Sequence, residues 1–250
     1  MTAPLFHVPT GTVDGLGAGD LVTVTGEEAR HAAVVRRLRA GEAVIVADGD
    51  GGAVIGEVVV AAPDRLEVQV TGRRDEPEPR PRLVLVQALA KGGRDEDAAE
   101  ASTELGVDEV VPWEAARSIV RWRGPKADKA RQKWVNVVTA AAKQSRRART
   151  PHVAEVVTTR QLVDRGSVPG TRVLVLHEDA RPTLPEALGD LDDGVSELLL
   201  VVGPEGGIGE DETGPLQAAG ATLVRLGPSV LRSSTAGPAA LAVIGAAVRW

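Results

Sequence analysis

The stretch LLLVVGPEGGIGED, residues 198–211, decides the fold. Leu198 to Val202 form an unbroken run of branched apolar residues that breaks abruptly into Gly203, Pro204, Glu205, Gly206 and Gly207. A strand with no polar face is one covered on both sides, as in a parallel sheet flanked by helices. In open sheets of this kind ligands sit beyond the carboxyl ends of the strands, where glycine lets main chain approach closely. The loop is therefore a candidate ligand wall, the alternative being a tight strand-to-helix turn with no ligand. It is not a Walker loop, because no Gly-Lys-Ser/Thr follows, and the fingerprint G-x-G-x-x-G fails because position 212 is Glu. Glu205, Glu210, Asp211 and Glu212 would repel a pyrophosphate, which favours a ligand with a cationic or neutral contact portion.

Working outward, the pattern recurs. ATLVRLG (221–227) ends an apolar run in Gly227 and Pro228, and SVLRSSTAGPAALAVIGAAV then passes through a polar loop into a small-residue helix. Ser233, Ser234 or Thr235 can cap that helix, with Pro238 in its first turn. Upstream, LVLVQALA (83–90), DEVVPW and RVLVLH (172–177) read as strands, and EDAAEASTELG as a helix that Gly106 caps. In ADKARQKWVNVVTAAAKQS, Trp134, Val137, Val138 and Ala141 share one helical face. The expectation is an α/β domain with a mainly parallel sheet over residues 75–250.

Residues 1–74 have a different texture. EAVIVADG, AVIGEVVVA and RLEVQVTG are short strands, and Asp48 to Gly52 makes a hairpin turn. EEARHAAVVRRLRAG (27–41) has helical spacing ending in Gly41. The arginines Arg30, Arg36 and Arg37 there either touch RNA or solvate a cap helix. GRRDEPEPRPR (72–82) is a linker, because its prolines support neither ladder nor helix.

The chain has no cysteine, which removes thiolate nucleophiles, disulfides and Cys-ligated metals. No apolar run reaches membrane-spanning length, and MTAPLFHVPT lacks a basic start followed by an apolar block, so a cytoplasmic protein without membrane or metal is expected. Net charge is −6, yet residues 114–149 hold eleven basic residues against two acids, leaving about −15 for the rest. Arg117, Arg121, Arg123, Lys143, Arg146 and Arg147 in that segment are candidate RNA contacts, since such asymmetry suits a phosphate backbone. The alternative is a solvated helix face.

LVVGPEGGIGEDE followed by LGPSVLRSSTA and a terminal small-residue helix resembles the SPOUT class of S-adenosylmethionine-dependent RNA methyltransferases. HAAVVRRLRAGEAVIVADGDGG, QALAKGGRDEDAAEASTELGVDEVVPW and AAAKQSRRARTPHV make it similar to the 16S ribosomal RNA uridine-N3 methyltransferase family, RsmE. The resemblance implies a PUA-like β-barrel joined to an α/β domain with a C-terminal trefoil knot, a homodimer, and 16S rRNA in the 30S subunit as partner. It places the S-adenosylmethionine pocket at Leu176 and His177, at Val202, Gly203, Glu205, Gly206 and Ile208, and at Leu226, Gly227, Leu231, Arg232, Ser234, Thr235 and Ala236. Arg232, then Arg94, are the catalytic candidates: a cation beside a uracil imide would ease loss of its N3 proton. Many family members read LRTET where this chain has Leu231 to Thr235 as LRSST, so a glutamate general base at that motif is absent. An arginine often found at the family's N-terminus is also missing from MTAPLFHV. The competing readings are a SPOUT enzyme acting on a ribose 2′-hydroxyl or on transfer RNA, and a non-catalytic RNA-binding or assembly protein.

Overall fold

The computed structural model describes residues 3–250, which fall into two compact units. One runs to Glu78 and also takes in Ala142–Thr150; the other comprises Pro79–Ala141 and Pro151–Trp250.

The first unit is a five-stranded sheet in the order β1-β3-β4-β5-β2. Here β1 is Leu5–His7, β2 Leu21–Thr25, β3 Ala43–Ala47, β4 Ala53–Ala62 and β5 Arg65–Arg73. β3, β4 and β5 form an antiparallel meander, and β1 joins β3 in parallel. The turn after β3 is built by Asp48, whose Oδ1 accepts from the N–H groups of Asp50 (2.9 Å) and Gly52 (3.0 Å). Phe6, Val22, Val44, Val46, Val54, Leu66 and Val68 are buried together beneath the sheet.

Residues 27–41 do not form the single helix their spacing suggested. α1 covers Gly26–Arg30 and passes into a π-turn over His31–Val35, where Arg36 N–H reaches the His31 carbonyl. Arg37 then takes a left-handed φ of 55°, so the helix ends well before Gly41. The return of Ala142–Thr150 to this unit was not legible either. Ala148 packs with Leu5, Ile45 and Ala53, the Glu76 carboxylate accepts the Ala148 N–H at 2.8 Å, and Lys143 pairs with Glu28 at 2.5 Å.

The second unit holds a six-stranded, wholly parallel sheet in the order β11-β9-β10-β6-β7-β8. Its strands are β6 (Arg82–Ala88), β7 (Glu109–Trp113), β8 (His152–Val153), β9 (Thr171–Leu176), β10 (Glu197–Val202) and β11 (Thr222–Val224). The helices are α2 (Arg94–Glu104), α3 (Pro125–Gln144), α4 (Thr159–Gly166), α5 (Leu184–Gly189), α6 (Glu210–Ala218) and α7 (Ser233–Val248). The apolar strands behave as expected of a sheet covered on both faces. Leu83, Leu85, Leu174, Leu198 and Leu200 pack with Ala99 of α2, Trp134 of α3, Leu184 of α5 and Leu241 of α7. Val84, Val86, Val175, Leu199 and Val201 meet Leu162 of α4 and Leu216 of α6 on the other side.

One helix differs from its reading. Pro238 is the sixth residue of α7, not part of its first turn, so its absent N–H leaves the Ser234 carbonyl without the usual helical donor. The N-cap is Arg232 and no side chain caps the helix; Ser233 is its first residue. α6 carries Pro215 inside it, as its sequence implies. The strand 221–227 is shorter than its apolar run, because Arg225 leaves the sheet to pair with the chain around Thr183, donating to the Pro182 carbonyl and accepting from Leu184 N–H.

The amino edge of this sheet is an ion-pair network. Glu109 and Glu197, which open β7 and β10, are bridged by Arg165 of α4 at 2.8 Å each and by Arg82 of β6 at 3.0 and 3.3 Å. The carboxyl edge is left open for a cavity.

Candidate functional site

Three loops leave the carboxyl ends of adjacent strands and enclose a cavity of about 700 Å³, within the range of small-molecule sites. Leu176 and His177 come from the end of β9, Val202 and the glycine loop 203–208 from β10, and 225–232 from the loop after β11. The glycine loop is shaped by a turn in which Gly207 N–H donates to the Pro204 carbonyl at 2.9 Å. Gly207 has φ +70°, and a Cβ on Gly203 would stand 2.6 Å from Ile208 Cγ1, so neither position accepts a side chain without displacement. Gly203, Gly206 and Gly207 therefore leave main chain at this part of the wall. Behind it the small-residue face of α7 lets the helix sit close to the sheet, where a Cβ on Gly237 would lie 3.0 Å from Leu85.

Of the residues expected to hold a ligand, Leu176, His177, Val202, Gly203, Glu205, Gly206, Ile208, Leu226, Gly227, Leu231, Arg232 and Ala236 line this cavity. Ser234 and Thr235 do not; they occupy the first turn of α7, while Ser233 lines the cavity. Ser233 is buried, and its Oγ has no hydrogen-bond partner among the described residues. Pro204 and Gly207 line it as parts of the glycine loop already singled out, and Glu178, Arg225, Pro228, Ser229 and Val230 also line it and were missed. They adjoin the anticipated positions, and a motif transferred residue by residue leaves such gaps.

The cavity's charge differs from the sequence reading. Of the four acids near the glycine loop only Glu205 lines it, joined by Glu178, against the three cations Arg94, Arg225 and Arg232. Arg94, at the start of α2, pairs with Glu205 at 2.8 Å. Burial opposes ionisation of Glu205, but its own N–H and the Arg94 guanidinium outweigh that and hold its carboxyl below the usual value. Arg232 is exposed at the rim, where its carbonyl accepts the N–H groups of Thr235 and Ala236, both at 2.9 Å.

The candidate RNA contacts are used more heavily inside the protein than their charge suggested. Arg117 donates to the Gly206 carbonyl at 2.9 Å, and Arg121 to the carbonyls of Ala115 and Ala116. Arg123 and Arg121 both pair with Glu114, and Lys143 with Glu28. Arg147 is also engaged within the protein. In the first unit Arg30 makes a loose 3.9 Å pair with Glu27, while Arg36 and Arg37 are exposed beside the π-turn. Arg146 adopts a left-handed φ of 59°. The basic segment divides between the units at Ala141 and Ala142.

Comparison with known proteins agrees with this geometry. Residues 76–245 match the RNA methyltransferase domain and residues 24–71 the RNA methyltransferase PUA domain. Ribosomal RNA small subunit methyltransferase E of Mycobacterium tuberculosis (strain CDC 1551 / Oshkosh) is 43% identical, the alignment covering 100% of this chain and 94% of that protein. The protein of the same name from Bacillus subtilis (strain 168) is 31% identical over 89% of this chain and 88% of its own. The crystal structure of the Neisseria gonorrhoeae enzyme of that name, bound to S-adenosyl methionine, superposes with a TM-score of 0.83 at 29% identity over 98% of each chain. A Legionella pneumophila methyltransferase with bound cofactor SAM gives 0.81 at 26%, over 99% of this chain and 98% of its own. Near-complete coverage by relatives of one name, with both domains matched, means that the chain belongs to the ribosomal RNA small subunit methyltransferase E family of RNA methyltransferases.

Proposed function

We propose that this chain transfers the methyl group of S-adenosylmethionine to N3 of a uridine in 16S rRNA within the 30S subunit. The observation that carries the reading is the cavity at the carboxyl edge of β9, β10 and β11, walled on one side by the glycine loop and also lined by Arg94 and Arg232. Its glycine loop lets main chain come close to a ligand, and the partnerless Ser233 hydroxyl offers a polar contact, a lining that suits a sulfonium nucleoside. Leu176, His177, Val202, Gly203, Gly206, Ile208, Leu226, Gly227, Leu231 and Ala236 would hold it; when bound, S-adenosylmethionine supplies an electrophilic methyl carbon.

The protein's own residues do the rest. Methylation at N3 would need the imide proton released to solvent and the base held against the bound donor so that the methyl group passes to N3 as its bond to sulfur breaks. Arg232 stands at the rim with its guanidinium in no ion pair among the described residues, and is positioned to stabilise negative charge on the imide. Arg94 is already paired with Glu205, so its part is to fix the glycine loop and, second to Arg232, to add positive field at the mouth. The target uridine leaves its stack to reach this depth.

The same reading includes the trefoil threading of the C-terminal segment, a cytoplasmic setting and a homodimer. Val230 and Leu231, 78% and 38% exposed beside the mouth, support a second copy covering it. The test is transfer from labelled S-adenosylmethionine to unmodified 30S subunits, followed by nucleoside analysis of the 16S rRNA by mass spectrometry. New 3-methyluridine is the expected product. Label on ribose or another base would redirect the substrate, and absence of both label and donor binding would leave an RNA-binding protein.

A further inference from the structure

Arg117 does not extend freely toward solvent as a phosphate contact would. Its Nη1–H donates to the Gly206 carbonyl at 2.9 Å, and the side chain lies along the glycine loop. A Cβ built on Gly206 would stand 3.3 Å from Arg117 Cβ, and one on Gly209 would stand 3.2 Å from Nη2. The turn that carries Arg117 is itself fixed. Ser118 N–H donates to the Ala115 carbonyl, and Arg121 closes the turn by donating to the carbonyls of Ala115 and Ala116 at 2.6 and 2.9 Å. Its second anchor is Glu212, the third residue of α6 and only 3% exposed. Glu212 Oε1 accepts the Ala116 N–H at 2.9 Å and the Thr159 hydroxyl at 2.7 Å, and Thr159 Oγ1 is held in turn by the Trp113 indole N–H at 3.2 Å. Glu212 Oε2 is buried with no hydrogen-bond partner among the described residues, so the anchoring runs through Oε1 alone. Both ends of the glycine loop, Gly206 and the first turn of α6, are thus tied to one rigid turn, residues 115–121.

We propose that Arg117 is a positioning residue for the methyl donor. It holds the Gly206 carbonyl and the glycine loop in the shape that walls the cavity, and Glu212 holds the turn that presents it. The inference rests on the donor reading given above. A loop already ordered spares the ligand the entropic cost of ordering it, so loss of the latch appears first as weaker donor binding.

The experiment is calorimetric titration of the full chain with S-adenosylmethionine, paired with the salt dependence of binding to unmodified 30S subunits, for wild type, Arg117→Ala, Arg117→Lys and Glu212→Gln. Arg117 is exposed, so its replacement leaves the core intact, and thermal melting checks this. Arg117→Ala should weaken donor binding about tenfold, equivalent to about 1.4 kcal/mol, with the salt slope unchanged. Arg117→Lys, which keeps a donor but loses the planar fork, should fall between, and Glu212→Gln should shift donor affinity in the same direction. Unchanged donor affinity in Arg117→Ala with a salt slope lower by about one would make Arg117 a phosphate contact and overturn the proposal. A wild-type chain that does not bind S-adenosylmethionine would bring down the donor reading, and this inference with it.

Discussion

Arg232 and Ser233 show how far single residues can be read. The arginine was placed at the cavity because it lies within a recognisable loop, and it lines that cavity. The hydroxyl that reaches the wall is Ser233, however, one position before the expected Ser234, because α7 begins a residue earlier than a side-chain cap would require. Arg117 was less legible still. A cation in a polar stretch reads equally well as a partner for phosphate and as a donor to a carbonyl, and only the tertiary approach of residues 115–121 to the glycine loop separates the two. Arg232 can be tested alone. Its guanidinium makes no ion pair among the described residues, so Arg232→Ala should leave donor affinity near wild type. Loss of a group that stabilises charge developing at the reacting base costs about 10²–10³ in rate. Single-turnover methyl transfer at saturating donor measures this directly, and an unchanged rate would remove Arg232 from the mechanism.

Among elements, the buried parallel strands were legible because their apolar runs leave no polar face, whereas β11 was overread, since Arg225 exchanges the sheet for the segment at Thr183. The helix expected over 27–41 failed because apolar spacing does not report a π-turn. Pro215 lies inside α6, and its cost can be measured. Pro215 is exposed, and the Asp211 carbonyl loses the donor a helix would supply. Pro215→Ala restores that donor and helix propensity, but it also frees the unfolded chain, an offset of about 0.4–1 kcal/mol. The net should be stabilisation by about 1–2 kcal/mol, seen as a rise of several degrees in Tm. No change would mean that α6 tolerates the missing bond through local adjustment.

The amino edge of the second sheet gives a pH prediction for the strands it joins. Burial opposes ionisation of Glu109, but hydrogen bonds and charge from Arg165, with Arg82 and His152 adding to them, hold its carboxyl below the ordinary value of 4.5. The unfolded chain therefore binds the proton first as pH falls, and stability rises with pH across that interval. The contribution is complete above the ordinary carboxyl value and is lost as pH falls through the depressed one. Glu109→Gln cannot titrate, so it should melt below wild type at neutral pH, and the gap should narrow as pH drops through this window. A gap that stays constant would show that Glu109 acts without regard to its charge.

For the whole molecule, sequence separated a β-rich start from an α/β remainder by composition, but could not see Ala142–Thr150 joining the first unit. That assignment depends on Glu76 and Ala148 meeting across more than seventy residues. Charge was legible in amount and not in use. Arg131 illustrates this: its guanidinium donates to the carbonyls of Val153 and Ala154, at 2.6 Å for the shortest bond, and so belongs to the fold. Lys126 and Lys129, exposed on the first turns of α3, form no ion pair among the described residues and are the better candidates for releasing counterions from RNA. Each phosphate contact adds about 0.7–0.9 to the slope of log affinity against log salt. The Lys126→Ala, Lys129→Ala double variant should therefore bind unmodified 30S subunits with a slope shallower by about 1.5 and an unchanged Tm. Arg131→Ala should do the reverse, lowering stability by about 1–3 kcal/mol through the orphaned carbonyls while leaving the slope in place. If the two lysines left the slope untouched, the RNA would have to be gripped elsewhere, and Arg36 and Arg37 beside the π-turn of the first unit would be the next cations to remove.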